Sequence, residues 1–305
     1  MMRVLAIASQ KGGVGKTATT VNLAAGLALM GSRVVVVDLD PQAQASKALG
    51  IRLEGGTIQN SLGFALQAAV QSVPTDLRRY VMDRSEILTK WGAEGTLMLL
   101  ASEDATMSNA QHLLHTAGPD KATLLRGLLT QLADDLDFAV IDTPPSVGAL
   151  PAQALAASDY AIGLCSHEYQ TLEGAVAMKA TLRYVTQRTG GAADPLYLGA
   201  VLNKCNPVSK WKRQEVDVRN GMVEAGLLPL ISEIRADDRI SGSYASQAPA
   251  VIQFGNHEPG KRYAALLQEL FVRMDTPEAE WEIAPTADAQ LAALETRREK
   301  AVISV

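Results

Sequence analysis

Short apolar runs alternate with longer amphipathic stretches along this chain of 305 residues. Residues 4–8 read as a buried strand. Residues 34–37 are four valines in a row, which suits a central parallel strand covered on both faces. Residues 97–100, 138–141, 160–164 and 196–202 continue the series, and 227–231 are expected to form the last strand. Helices are expected over 17–30, 58–72, 121–135, 171–188, 211–225 and 260–274. In the first of these Leu23, Leu27 and Met30 share a side, and Gly31 stands where a glycine C-cap belongs. Residues 73–96 carry no clear period. Strand–helix alternation of this kind predicts an α/β fold, a doubly wound and mostly parallel sheet with helices on both faces. No internal repeat or long linker interrupts it, so one domain is expected over 1–275. The remainder, 276–305, has two prolines and then a helical stretch over 288–300, and reads as an appended helix or mobile tail.

Composition narrows the class. With 47% hydrophobic residues the chain can bury a sizeable core. Its formal net charge of −5 argues against a globally basic nucleic-acid binder and leaves room for a local basic face. Cys165 and Cys205 are far apart, so neither a disulfide framework nor a CxxC metal pair is expected, and a reducing cytoplasm fits. The N-terminal apolar stretch is too short for a signal peptide. No apolar run approaches the roughly 20 residues of a membrane span.

The strongest chemical signal is Ser9-Gln10-Lys11-Gly12-Gly13-Val14-Gly15-Lys16-Thr17, which follows a strand and opens a helix. Glycines let the backbone approach a phosphate and take unusual φ values. Successive N–H groups and the helix N-terminus then face the anion. Lys16 is expected at the β and γ phosphates of ATP, and the Thr17 hydroxyl at Mg²⁺. The ordinary phosphate-loop pattern fails at its first glycine, where Gln10 stands, and a second lysine, Lys11, opens the loop. On residue type alone Lys11 is a phosphate contact within the same chain, or solvated.

Two further segments place acids at strand ends, the edge where ligand sites of open α/β sheets lie. Four valines lead into Asp38-Leu39-Asp40-Pro41-Gln42, and Phe138-Ala139-Val140-Ile141 leads into Asp142-Thr143-Pro144-Pro145. Asp142 is expected to hold Mg²⁺ through a water. Asp38 and Asp40 either serve the site or cap the following turn.

KGGVGKT is a deviant Walker A motif, and through it the chain resembles the ParA/MinD family of P-loop ATPases, most of all Soj-type ParA proteins without an N-terminal helix-turn-helix domain. The resemblance runs over about residues 3–272. It implies that Lys11 reaches across a dimer interface to the partner's nucleotide, offsetting charge as an arginine finger does. It also implies that Asp40 orients or activates the attacking water, that Asp38 supports Mg²⁺ or the loop, and that Asn203 hydrogen-bonds adenine. Residues Lys11, Gly12, Gly13, Val14, Gly15, Lys16, Thr17 and Ala18 would form the nucleotide cradle. Ala18 departs from the family, which commonly has Thr there, so one phosphate hydrogen bond is missing. Glu168-Tyr169-Gln170-Thr171-Leu172-Glu173-Gly174 resembles the family's EYxxLEG segment, and Arg239-Ile240-Ser241 its Arg-Leu-Ser.

The implied function is a slow, partner-stimulated DNA-partition ATPase. It would be a homodimer on ATP, bind non-specific DNA, respond to a ParB-like protein, and lie on the nucleoid in the cytoplasm. Between Asn203 and Arg262 nine Lys/Arg face seven Asp/Glu, a local +2. Lys210, Lys212, Arg213 and Arg239 are the candidate DNA contacts, and a solvated helix end is the plainer reading of the first three. The alternative is a MinD-like or cargo-positioning ATPase acting on a membrane or protein assembly. The tail argues against a membrane, since 286–305 has no Trp or Phe and balances its basic residues with acids. A reductase of the nitrogenase iron-protein type shares this loop, but Thr143-Pro144 follows Asp142 and Cys165 ends a separate strand.

Overall fold

A computed structural model describes residues 2–303, the side chains of Lys90 and of 297–303 excepted. The basic and apolar tail residues from Arg297 onward, which bear on the membrane expectation, lie outside the described side chains. The strands are β1 (Arg3–Ala8), β2 (Arg33–Asp38), β3 (Val81–Asp83), β4 (Thr96–Leu100), β5 (Phe138–Asp142), β6 (Tyr160–Cys165), β7 (Leu196–Cys205) and β8 (Ile234–Arg235). They form one eight-stranded sheet in the order β3-β4-β2-β5-β1-β6-β7-β8, parallel except for β3. The main helices are α1 (Lys16–Leu29), α2 (Gln44–Ala48), α3 (Leu62–Val70), α4 (Asp104–Thr116), α5 (Leu124–Leu129), α6 (Ala149–Ala157), α7 (Gln170–Arg188) and α8 (Arg213–Glu224). After them come α9 (Asp238–Gly242), α10 (Ala250–Gln253), α11 (Glu258–Asp275) and α12 (Ala287–Ile303).

The valine run shows why the sheet is covered twice. Val34 and Val36 join the core under α1 and α11, while Val35 and Val37 join the core under α3, α5 and α6, and all four are fully buried. Strand β1 lies between β5 and β6. The chain builds outward from it in both directions, which makes its C-terminal end the point where strand order reverses and a crevice opens.

The structure departs from expectation in several places. Residues 227–231 form no strand. Leu228 has φ of 47° and Pro229 has no N–H, so the backbone hydrogen bonds between this segment and β7 run through the Ala200 amide and carbonyl, and the last strand is β8. The helix expected over 121–135 is broken into 3₁₀ turns flanking the short α5. Residues 73–96 hold two 3₁₀ turns and the antiparallel edge strand β3. Helices α4 and α6 appear where none was expected.

Beyond α11 the chain packs back on the body. Trp281, Ala284 and Ala287 are buried. The Arg273 guanidinium, 1% exposed, donates to the carbonyls of Leu198 (2.7 Å), Leu228 (2.8 Å) and Glu282 (2.7 Å), and lies 5.4 Å from the Trp281 ring centre. The Ala284 amide donates to Pro229 O at 2.9 Å, and the Ala287 amide to Asn220 Oδ1 at 2.8 Å, which starts α12 alongside α8. Among the described residues no helix is long and apolar enough to cross a membrane.

Candidate functional site

The loop over 9–15 joins β1 to α1 at the crevice. Gly13 (φ 76°) and Gly15 (φ 91°) are left-handed, so the glycines there are required by the backbone. No side chain caps α1 and its first turn holds no acid, leaving its leading N–H groups to an anion. Lys16 is buried and donates its Nζ to Lys11 O at 2.9 Å. Desolvation lowers its pKa against the pull of Asp142 and Asp40. Gly12, Gly13, Gly15, Thr17 and Ala18 line a cavity of about 260 Å³ together with Lys16 and Asp40. Gln44, Pro145, Lys204 and Tyr244 complete its wall. A larger cavity of about 450 Å³, between α4, α6 and α7, contains none of the residues over 9–18, so size does not select the site.

Asp142 ends β5 fully buried. It accepts from Thr17 Oγ1 at 2.7 Å and from Thr20 Oγ1 at 3.3 Å. Burial, and then the charge of Asp38, push its carboxyl up to about 8. Asp40, nearly buried, accepts the Gln42 amide at 2.9 Å and is raised by burial. Asp142 and Asp40 both act on one buried cation, Lys16, and two carboxyl groups beside a single cation suit a divalent ion. Hydroxyl and carboxylate oxygens are the hard donors Mg²⁺ takes. No cluster of three or more His, Cys, Asp or Glu among the described residues could hold a metal by itself. The donor set thus fits an ion that relies on waters and on a nucleotide's phosphates.

Of its two expected roles, Mg²⁺ or the loop, Asp38 is seen in the second. Its Oδ2 accepts the Ser46 amide (2.8 Å) and hydroxyl (2.7 Å), and its Oδ1 the Asp40 amide (3.2 Å). Fully buried and pushed up to about 6 by desolvation, it fastens the turn from β2 into α2. Asn203 braces the loop: its Nδ2 donates to Val14 O at 2.8 Å and its Oδ1 accepts the Lys204 amide at 2.9 Å, which leaves a second N–H and a second lone pair on the amide.

Lys11 lies over α7. A Cβ on Gly174 would stand 2.7 Å from Lys11 Cγ and 3.2 Å from Lys11 N, which is why that helix carries glycine there. Among the described residues the Lys11 Nζ makes no hydrogen bond or ion pair. Lys204 and Tyr244 were not anticipated. They come to the cavity from the ends of β7 and α9, and no local spacing marks them.

The basic residues divide. Lys210 and Lys212 are exposed before α8, while Trp211 between them turns inward and donates to Asn206 O at 2.8 Å. Arg213 is exposed beside Asp217 at 3.7 Å. Arg239 is held by both oxygens of Asp237 (2.9 and 2.7 Å), which neutralises it and weakens its candidacy as a phosphate contact. Cys165 and Cys205 are fully buried, and burial pushes both thiols up to about 12.

Known proteins resemble this chain in sequence and in fold. A family model described as an AAA domain matches residues 2–192. The chromosome partitioning protein ParA of Myxococcus xanthus is 32% identical over 282 residues, covering 91% of this chain and 90% of that protein. The chromosome-partitioning ATPase Soj of Thermus thermophilus is 36% identical over 184 residues, covering 60% and 63%. Among solved structures, cobyrinic acid a,c-diamide synthase of Mycobacterium smegmatis with bound ADP and magnesium shares the fold with a TM-score of 0.71 at 24% identity, covering 93% of this chain and 100% of that one. With a P-loop opened by Lys11 and a partitioning relative aligned along nine-tenths of its length, the chain belongs to the ParA/MinD family of deviant Walker A ATPases, in its Soj-type ParA branch.

Proposed function

We propose that the chain is a DNA-partition ATPase. It dimerises around ATP, binds DNA non-specifically in that state, and hydrolyses ATP slowly until a ParB-like partner stimulates it. The observation that carries this reading is the division of labour between the two lysines. Lys16 is folded into its own loop, whereas Lys11 lies over Gly174 with its ammonium uncommitted, available to a second subunit's nucleotide.

The residues then take the following roles. The amides of the loop and of α1 bind the phosphates. Lys16 exchanges Lys11 O for a phosphate oxygen. Thr17 and Asp142 would hold Mg²⁺, which when bound offsets phosphate charge. Asp40 orients the attacking water, and its raised pKa suits a group that takes up a proton. Pro144 and Pro145 stiffen the turn after Asp142. Lys210 and Lys212 offer phosphate contacts to DNA, with salt-sensitive binding expected. The ParA and Soj relatives support this assignment, and with it a cytoplasmic, nucleoid-bound location.

A mobility-shift assay at low salt with ATP, ADP or no nucleotide tests the proposal. A shift with ATP alone is expected, and its absence sinks the reading.

A further inference from the structure

The two residues that follow one another near the end of β7 both hold the back of the phosphate loop. Asn203 Nδ2 donates to Val14 O at 2.8 Å, and Lys204 Nζ donates to Gly13 O at 2.6 Å. Lys204 does so from a left-handed backbone, φ 54°, which a lysine adopts only under constraint. The constraint is visible on both sides. Its amide donates to Asn203 Oδ1 at 2.9 Å, and its carbonyl lies 3.1 Å from His167 Nδ1. Its side chain is exposed, so core packing does not account for the strain. Strained residues that their surroundings over-determine cluster at functional sites.

We propose that Asn203 and Lys204 form a clamp that presets the loop for a polyphosphate, with Lys204 a positioning residue acting through Gly13. The reasoning is peptide geometry. The C=O and N–H of one planar trans peptide point in opposite directions. Gly13 O drawn outward by Lys204 turns the Val14 N–H inward, and Val14 O drawn outward by Asn203 does the same for the Gly15 N–H. Two successive amides then face one anion, as in a backbone nest. The glycine at 15 fits the clamp, because the Asn203 amide occupies the space a Cβ there would need. Lys204 also lines the cavity, adding its charge to that of Lys16. The clamp deepens the ATPase reading and rests on it, and it acts on the phosphate side of the nucleotide.

The test is Lys204→Gly in the full chain. Glycine takes a φ of 54° without strain, so the melting temperature should hold or rise. Calorimetric affinity for ATP, ADP and inorganic tripolyphosphate should nevertheless fall by a common factor of roughly 3 to 10. Lys204→Arg should restore most of it, with Lys16→Ala as the reference for lost binding. Unchanged affinity for all three ligands overturns the clamp. A loss confined to ATP and ADP, with tripolyphosphate unaffected, overturns it too. A wild-type chain that binds none of the three overturns the ATPase reading and the clamp together.

Discussion

The Thr17 hydroxyl donates to the Asp142 carboxylate at 2.7 Å, joining the first turn of α1 to the end of β5. The two oxygens assigned to Mg²⁺ are thus already in contact across the sheet. Thr17→Ala removes one donor from a buried carboxylate whose charge is already penalised. Mg²⁺-dependent ATP affinity should fall about tenfold, with a smaller effect when Mg²⁺ is chelated. Nucleotide titration with and without Mg²⁺ reads this directly.

Gly174 and Lys11 allow the dimer role to be separated from nucleotide binding. Lys11→Ala should bind ATP as a monomer yet fail to dimerise on ATP, as read by light scattering. Gly174→Ala should do the same from the other side, because the added Cβ displaces Lys11. Alanine gains roughly 1 kcal/mol of helix propensity over glycine in a helix interior, which offsets part of the cost of moving Lys11, so a small drop in melting temperature is expected. A normal ATP dimer from both variants refutes the reach across the interface.

Asp40→Ala should keep ATP and the dimer but stop turnover, trapping the DNA-bound state. Phosphate release alongside a mobility shift separates the two effects. Normal hydrolysis by this variant would reassign the water-orienting role.

Arg273→Met should destabilise the fold by roughly 3 kcal/mol, because buried carbonyls of β7, the 228–229 turn and residue 282 lose their shared donor. Urea unfolding measures it, with ATP affinity of the folded fraction expected to be unchanged.

What the sequence made legible was local. The phosphate loop is contiguous, and its glycines, lysine and hydroxyl each answer a backbone or charge requirement at fixed spacing. The four valines and the run into Asp142 showed buried strands ending in acids. What stayed hidden depends on chain segments far apart. Nothing near Asp38 says that its carboxylate turns to Ser46, and nothing near Asn203 says that its amide reaches Val14. Helix α6 escaped notice because it is nearly all buried, with Pro151 tolerated in its first turn, so it shows no amphipathic stripe. Residues 227–231 misled because apolar side chains that fill a core look the same in a strand or an irregular turn.

The buried Trp281, Ala284 and Ala287 bear on how this protein can be engineered. A change in composition near residue 275 invites a cut there, yet a chain shortened after Met274 would uncover the Arg273 guanidinium and the wall beside β7. Its lost activity would say nothing about what the last helix does. Truncations and fluorescent fusions belong beyond Ala287, the last of these buried residues, with the rest of α12 lying along α8.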